Sequence, residues 1–141
     1  MRTIKTKINK IDKIYHIADV HVRNVKRHKE YEIVFNRLYS YIKKTKTKNS
    51  LIYVAGDIVH AKTDMSPELV AMVSNFFKSL ADLAPTIIIT GNHDCNLNNS
   101  YRLDALSPIV KALNHQNLHY LKDNGIYYIS GVHFNVLSVF D

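Results

Sequence analysis

The segment most informative about the fold is Pro85-Thr86-Ile87-Ile88-Ile89-Thr90-Gly91-Asn92-His93-Asp94. A short run of apolar, mostly β-branched residues after a proline is typical of a buried strand in a parallel sheet. Gly91 permits a sharp turn after this strand, and an amide, an imidazole and a carboxylate follow at once. In open α/β sheets, ligands bind at the carboxyl ends of the strands. The stretch therefore predicts a strand that delivers Asn92, His93 and Asp94 to a functional site.

Two earlier stretches have the same form, a short apolar run that stops at polar residues. Residues 13–18 are followed by Asp19-Val20-His21, and residues 50–55 are followed by Gly56-Asp57-Ile58-Val59-His60. Between these runs, apolar residues recur at helical spacing in segments 30–44 and 66–83. The predicted fold class is therefore α/β, with a parallel βαβαβ core. Right-handed crossovers place the carboxyl ends of the three strands along one edge of the sheet.

Local patterns add detail to the helices and to the first strand. The stripe of segment 30–44 that should face the core consists of Tyr31, Val34, Phe35, Leu38 and Ile42. Ser66 before Pro67, and Ser107 before Pro108, predict two capped helix starts. His16, inside the first strand, is expected to be a hydrogen-bonded core histidine.

Turn signals predict the structure of residues 118–140, and charge characterises residues 1–12. Asp123-Asn124-Gly125 lies between the apolar runs 118–121 and 126–129, which predicts a β-hairpin. A further strand is predicted over residues 132–140. Residues 1–12 are a basic lead-in or an edge strand, and residues 1–141 are expected to form one domain that continues in a longer protein.

Six polar residues at the three strand ends are predicted to share one pocket. They are Asp19, His21, Asp57, His60, Asn92 and His93. This set contains carboxylates, imidazoles and an amide but no thiolate, which suits a divalent ion such as Mn²⁺, Fe²⁺ or Zn²⁺. Asp57 follows the middle strand and is the natural bridge between two ions ~3.5–4 Å apart. Two ions so placed activate water and neutralise the negative charge of a phosphoryl group, which indicates phosphoester hydrolysis.

The motifs at the strand ends resemble those of a known superfamily. Asp19-x-His21, Gly56-Asp57 and Gly91-Asn92-His93-Asp94 resemble the first three signature blocks of the calcineurin-like metallophosphoesterases. Three longer motifs are similar to the SbcD-type and meiotic-recombination nucleases of DNA double-strand-break repair: His-Ile-Ala-Asp-Val-His at 16–21, Gly-Asp-Ile-Val-His at 56–60 and Tyr-Arg-Leu-Asp-Ala-Leu-Ser-Pro at 101–108. His60 and Asp94 break the patterns usual in the protein phosphatases of the superfamily. The resemblance implies the amino-terminal part of an αββα sandwich.

The resemblance also implies a role for each residue of the site. Asp19 and His21 would bind the first metal ion, Asp57 would bridge, and Asn92 would bind the second ion. His93 would protonate the leaving sugar oxygen as a general acid, and His60 would orient the phosphate. Asp94 would support the loop through hydrogen bonds.

The superfamily completes its metal centre with histidines from two later motifs. The later histidines here, His115, His119 and His133, lack that sequence context. We therefore expect two divalent ions, with Mn²⁺ as the leading candidate, and a second site that residues 1–141 do not complete. Residues 1–141 alone should have little nuclease activity.

Composition and charge limit the kinds of partner that the chain can have. Its 141 residues are 46% hydrophobic, as in an ordinary globular domain. Residues 1–50 hold 14 of the 19 Lys and Arg residues but only 4 of the 12 Asp and Glu residues, which indicates DNA as a partner or simply a solvated face. Arg23, Lys26 and Arg27 are the candidate nucleic-acid contacts. The sequence has no membrane span, no signal peptide and a single cysteine, Cys95, so we expect an intracellular protein without a membrane partner.

The leading hypothesis is a metal-dependent DNA nuclease that acts at DNA ends. One alternative is another metallophosphoesterase, either a phosphodiesterase or a phosphatase. A second alternative is a catalytically inactive relic that binds nucleic acid through its basic first third. The family resemblance further implies an SMC-like ATPase as a partner and a homodimer formed through the early helices.

Overall fold

A computed structural model describes residues 1–99 and 101–140 of the chain. Ser100 and Asp141 belong to the predicted domain of residues 1–141 but lie outside the described residues. The described residues form seven strands and three helices: β1 (Arg2–Ile4), β2 (Lys13–Ile17), α1 (His28–Thr45), β3 (Ser50–Ala55), α2 (Pro67–Leu83), β4 (Thr86–Ile89), α3 (Leu106–Leu113), β5 (Leu118–Tyr120), β6 (Gly125–Ile129) and β7 (Val132–Val136). None of these three helices has the length and apolar character needed to span a membrane.

Four parallel strands form the central sheet in the order β2-β3-β4-β5. A helix connects each strand to the next, so the predicted α/β class with a parallel βαβαβ core is confirmed. β5 extends this core by one strand. Because all four strands run in the same direction, their carboxyl ends lie along one edge of the sheet.

The helices bury their apolar faces on one side of the central sheet. α2 contributes most of this core, and its fully buried residues include Val73, Phe76 and Leu80. The predicted cap of α2 is confirmed, because the Ser66 hydroxyl accepts a hydrogen bond from the backbone amide of Leu69 at 3.1 Å.

Helix α1 packs less deeply than the sequence predicts. Phe35 and Ile42 are buried, and the Phe35 ring stacks on Phe76 with the ring centroids 4.4 Å apart. Val34, which the predicted stripe assigns to the core, is 56% exposed. The buried stripe of α1 is therefore narrower than its apolar periodicity suggests.

A second sheet covers the other face of the central sheet. Its strand order is β1-β6-β7. The core between the two sheets contains Leu51 and Ile87 from the central sheet and Tyr127, Ile129 and Val136 from the second. Residues 2–4 pair in parallel with β6, so part of the lead-in is an edge strand.

The predicted hairpin around Asp123-Asn124-Gly125 is wrong. β5 pairs with β4 in the central sheet, whereas β6 pairs antiparallel with β7 in the second sheet. The hairpin formed by β6 and β7 turns at Ser130-Gly131, whose φ angles are 49° and 89°. Positive φ at both positions is typical of a primed two-residue turn. The last strand ends at Val136 instead of residue 140.

Two further local predictions are wrong for reasons of position. β2 is an edge strand of the central sheet, and both Ile14 and His16 are exposed on it, so His16 is not a core histidine. Ser107 does not cap α3. The carboxylate of Asp104 accepts hydrogen bonds from the backbone amides of Leu106 and Ser107 at 2.9 and 2.7 Å, which is the capping interaction.

Candidate metal centre

The loops that follow β2 and β3 run side by side beyond the ends of the strands. The amide of His21 donates to the carbonyl of Asp57 at 2.9 Å, and the amide of His60 donates to the carbonyl of Val22 at 3.0 Å. Val22 and Val59 form an isolated parallel bridge between these two hydrogen bonds. This main-chain pairing places the residues after β2 directly against the residues after β3.

Three residues of these loops have a left-handed backbone conformation. Their φ angles are 54° at Asp19, 48° at His21 and 52° at Asp57. For residues other than glycine this conformation costs about 1–2 kcal/mol each. Such strain is concentrated at functional sites, where the surrounding structure enforces it. Here it turns three side chains out of the strand direction and toward each other.

The loops after β3 and β4 make a close contact through two glycines. A Cβ atom on Gly91 would lie 2.0 Å from Asp57 Oδ1 and 2.2 Å from the Asp57 amide nitrogen. A Cβ atom on Gly56, whose φ is 78°, would lie 2.7 Å from the Gly91 amide nitrogen. Only glycine fits at these positions, so the two loops can bring Asp57 against the backbone of Gly91.

The buried carboxylate of Asp94 joins the same two loops. Its Oδ1 accepts hydrogen bonds from the amides of Ile58 and Val59, and its Oδ2 accepts one from the amide of Gly91, each at 2.9 Å. Burial raises the pKa of Asp94, and these three amide donors limit the rise. Asp94 therefore supports the site from behind.

Asp19, His21 and Asp57 form a compact group of possible metal ligands. Their ligand atoms lie within 4.8 Å of one another. Nε2 of His21 is 3.7 Å from Asp19 Oδ1 and 3.7 Å from Asp57 Oδ2, too far for a hydrogen bond. Divalent ions bind nitrogen and oxygen ligands at about 2.0–2.2 Å, so ligands on one ion lie about 3–4 Å apart. The donor set and its spacing fit a divalent ion.

His93 and His60 lie directly beside this group. The ring centroid of His93 is 4.7 Å from that of His21 and 5.8 Å from that of His60. The amide of His93 donates to Asp57 Oδ1 at 3.0 Å, and its ring Nδ1 is 2.9 Å from the carbonyl oxygen of His60. A carbonyl only accepts, so Nδ1 carries a proton, and Nε2 is the nitrogen that this hydrogen bond leaves free.

Loss of hydration and nearby positive charge both oppose the protonation of His60. Loss of hydration and the positive charge of Arg23, with smaller effects of His21 and His93, lower the pKa of His60. Arg23 is exposed at this edge of the sheet, as is Lys26. Arg27 forms an ion pair with Glu30 at 2.7 Å, which partly neutralises it.

The last predicted site residue, Asn92, and the three later histidines lie at different places. Asn92 is exposed between Gly91 and His93 on the loop after β4, and the nitrogen of Lys62 is 3.4 Å from its main-chain oxygen. His115 pairs with Asp82 at 2.8 Å, on the helical side of the molecule. Within residues 1–99 and 101–140, the groups able to hold a metal do not include His115, His119 or His133.

The sequence did not reveal the role of Tyr31. Its hydroxyl donates to the carbonyl of His21 at 2.6 Å and so ties α1 to the loop after β2. The apolar periodicity of α1 assigns Tyr31 to the core stripe. The only available signal was a tyrosine within that stripe, because a buried phenol usually needs a hydrogen-bond partner.

Comparisons with known proteins agree with this fold. The family described as "Calcineurin-like phosphoesterase" matches residues 12–140. Uncharacterized protein R555 of Acanthamoeba polyphaga mimivirus is 51% identical to the chain over 130 residues. The match covers 91% of this chain and 10% of that protein, so the chain spans about one-tenth of the length of this relative. With nearly its whole length matched, and its strand ends carrying the ligand group described above, the chain belongs to the calcineurin-like phosphoesterase family.

Proposed function

We propose that this chain is the catalytic part of a metal-dependent nuclease that hydrolyses phosphodiester bonds at DNA ends. Its family is one of phosphoesterases. The observation that carries the proposal is the ligand group of Asp19, His21 and Asp57, which lies against the imidazoles of His60 and His93. Metal ligands and a proton donor in one open site are what phosphoester hydrolysis requires.

The metal ions would be held by residues of the three loops. Asp19 and His21 would bind the first ion, Asp57 would bridge the two ions, and Asn92 would contribute to the second site. When bound, two divalent ions lower the pKa of water and offset the negative charge of the phosphoryl group. We propose Mn²⁺ as the preferred ion, since mixed carboxylate and imidazole ligands suit it.

His93 would act as the general acid. Its Nδ1 is engaged by the carbonyl of His60, which holds the ring in one orientation and leaves Nε2 free. In the imidazolium form, Nε2 would donate its proton to the departing sugar oxygen. The hydrogen bond from the His93 amide to Asp57 Oδ1 fixes the distance between this acid and the metal ligands.

Cations at the rim of the site support a polyanionic substrate. Arg23 lies near enough to His60 to lower its pKa, and Lys26 is exposed in the same loop. Arg27 is paired with Glu30, so we assign it a smaller part in binding DNA. The resemblance of the motifs at 16–21, 56–60 and 101–108 to those of repair nucleases supports DNA ends over small phosphate esters as the substrate. By the same resemblance, an SMC-like ATPase partner and a homodimer belong to the proposal.

Activity assays on the full-length protein test this function. Substrates are end-labelled duplex DNA, single-stranded DNA, bis(4-nitrophenyl) phosphate and 4-nitrophenyl phosphate, with Mn²⁺, Mg²⁺ or a chelator. We expect cleavage of DNA that is highest with Mn²⁺ and is abolished by chelation and by Asp57→Asn. Asp123→Asn is the matched control, because Asp123 is exposed and pairs with Arg2 on the second sheet.

The other outcomes assign a different function. Hydrolysis of the small diester without DNA cleavage would indicate a phosphodiesterase, and hydrolysis of the monoester would indicate a phosphatase. DNA binding without any hydrolysis would indicate the non-catalytic binding module. Each of these results would overturn the nuclease proposal.

A further inference from the structure

A second buried carboxylate lies behind the loop that carries Asn92 and His93. The side chain of Asp104 is fully buried, and it caps α3. Beyond the cap it accepts a hydrogen bond from the Tyr120 hydroxyl at 3.0 Å and pairs with the ammonium group of Lys122 at 2.8 Å. The Ser107 hydroxyl donates a hydrogen bond to Asp104 Oδ2 at 2.5 Å. This carboxylate therefore joins α3 to β5, although neither element contributes a ligand.

Tyr120 connects this carboxylate to the end of β4. Its hydroxyl also hydrogen-bonds the hydroxyl of Thr90, the residue before Gly91. A phenol has one hydrogen, and Tyr120 donates it to Asp104. Thr90 must then donate to the phenol oxygen, so the hydrogen bonds run in one direction, from Thr90 through Tyr120 to Asp104.

The protonation states support this direction. Burial is the largest influence on the pKa of Asp104 and raises it, but the bonds from Lys122 and Ser107 outweigh burial and hold that pKa below its usual value. Burial raises the pKa of Tyr120 far above its usual value, so the phenol keeps its proton. A carboxylate that accepts and a phenol that donates form a fixed pair.

The neighbour of Asp104 holds the other end of the same loop. The amide of Ala105 donates to the carbonyl of Asp94 at 2.8 Å. Segment 104–105 thus reaches the loop before Gly91 indirectly, through the hydrogen bond of Tyr120 to Thr90, and after His93 directly, at Asp94. Asn92 and His93 lie between these two attachment points.

We propose that Asp104 and Tyr120, acting through Thr90, are positioning residues for Asn92 and His93. They set the affinity of the second metal site and the rate of turnover without touching substrate. The parts that concern turnover and Mn²⁺ affinity rest on the proposed function, whereas the part that concerns the position of the loop does not.

The test uses variants that remove single hydroxyl groups from the full-length protein. Tyr120→Phe and Thr90→Val break the chain of hydrogen bonds, and Thr90→Ser restores the hydroxyl. Tyr127→Phe is the matched control, because Tyr127 is a buried tyrosine of the second sheet whose hydroxyl donates to the carbonyl of Asp123, away from the loop. Measurements are amide hydrogen exchange of residues 91–94 without metal, Mn²⁺ titration by calorimetry, and kcat and KM on bis(4-nitrophenyl) phosphate and on DNA.

We expect Tyr120→Phe and Thr90→Val to speed exchange at residues 91–94 and to weaken the weaker Mn²⁺ binding step about 10-fold, the usual effect of losing a residue that supports a ligand. The tighter step stays unchanged, and kcat falls about 10-fold with KM little changed. Thr90→Ser and Tyr127→Phe keep wild-type values.

Two results would overturn this proposal. One is wild-type exchange and Mn²⁺ affinity in both Tyr120→Phe and Thr90→Val. The other is an equal loss in Tyr127→Phe, which would mark a general effect of lower stability. If the wild type binds no Mn²⁺ or cleaves no substrate, the proposed function fails, and hydrogen exchange of residues 91–94 without metal still decides the role of Tyr120.

Discussion

Replacing Gly91 with alanine tests the contact between the loops after β3 and β4. The new Cβ atom would lie 2.0 Å from Asp57 Oδ1 and 2.2 Å from the Asp57 amide nitrogen, more than 1 Å inside van der Waals contact. The carboxylate can rotate away, but the amide nitrogen belongs to the paired main chain and can only move with its loop. Steric overlap of this kind typically costs about 1–3 kcal/mol.

Rotation of the Asp57 carboxylate adds to this cost. It would break the hydrogen bond from the His93 amide, and a bond to a charged group contributes about 1.5–3 kcal/mol. We expect a total loss of about 3 kcal/mol. For a chain of this length, 1 kcal/mol corresponds to about 3–4 °C, so Tm should fall by about 10 °C. Because Asp57 is also the proposed bridge, Mn²⁺ binding should be lost.

Thermal unfolding and Mn²⁺ titration measure the two effects. Gly125→Ala is the control, since a Cβ atom there has no neighbour within 4 Å and only its φ of 149° opposes the change. That variant should lose about 1 kcal/mol and bind Mn²⁺ normally. A Gly91→Ala protein with the Tm and Mn²⁺ affinity of the wild type would refute the close contact of the two loops.

Three other variants probe the supports of the site. Asp94→Asn turns an amide donor toward backbone amides that need acceptors, so the free energy of unfolding in urea should fall by about 2 kcal/mol. Unchanged stability would contradict the role of that carboxylate. Tyr31→Phe removes the hydrogen bond to the His21 carbonyl, so the free energy of unfolding should fall by about 1 kcal/mol and the tighter Mn²⁺ binding step should weaken in calorimetry. Tyr41→Phe, on the exposed side of the same helix, should change neither. Asp104→Asn tests pH dependence. The pKa of Asp104 lies below its ordinary 3.8 in the folded protein, so its stabilising contribution is complete above about pH 4 and is lost as the pH falls through the folded pKa. The difference in unfolding free energy between wild type and Asp104→Asn should therefore shrink below pH 4, and a constant difference would argue against an ionised Asp104.

Features that depend on nearby residues could be predicted from the sequence. β3 has the predicted bounds, Ser50–Ala55, because an apolar run between a polar loop and Gly56 leaves little choice. The Ser66 cap depends on a hydroxyl that reaches an amide three residues away. The fold class follows from the alternation of such runs with amphipathic helices, since each strand needs a crossover to pair in parallel.

Features that depend on distant pairing could not be predicted in this way. Asn124-Gly125 is a strong local turn signal, but Leu118 and Tyr120 pack against the helices when β5 joins β4, and that pairing takes precedence. The exposure of His16 follows from the place of β2 at the edge of the sheet, which its own residues do not specify. Strand order is a property of the whole chain.

The same division applies to the site. The rule for parallel strands leads one to expect Asp19, His21 and Asp57 at one edge, and the structure has them there. Their metal-binding roles remain predictions. The link from Thr90 through Tyr120 to Asp104 joins residues 30 and 16 positions apart, and nothing in the local sequence pairs them.

The left-handed conformations of Asp19, His21 and Asp57 bear on how this protein can change over generations. At Asp19 and His21, glycine would remove the strain of the left-handed conformation without breaking a side-chain hydrogen bond, so selection for folding alone favours loss of these two side chains. At Asp57 the hydrogen bond from the His93 amide opposes such a loss. Chains that keep Asp19 and His21 despite this pressure are under selection for the site itself. Heat-resistance screens on libraries of this protein should therefore recover glycine at these positions in survivors that no longer bind metal.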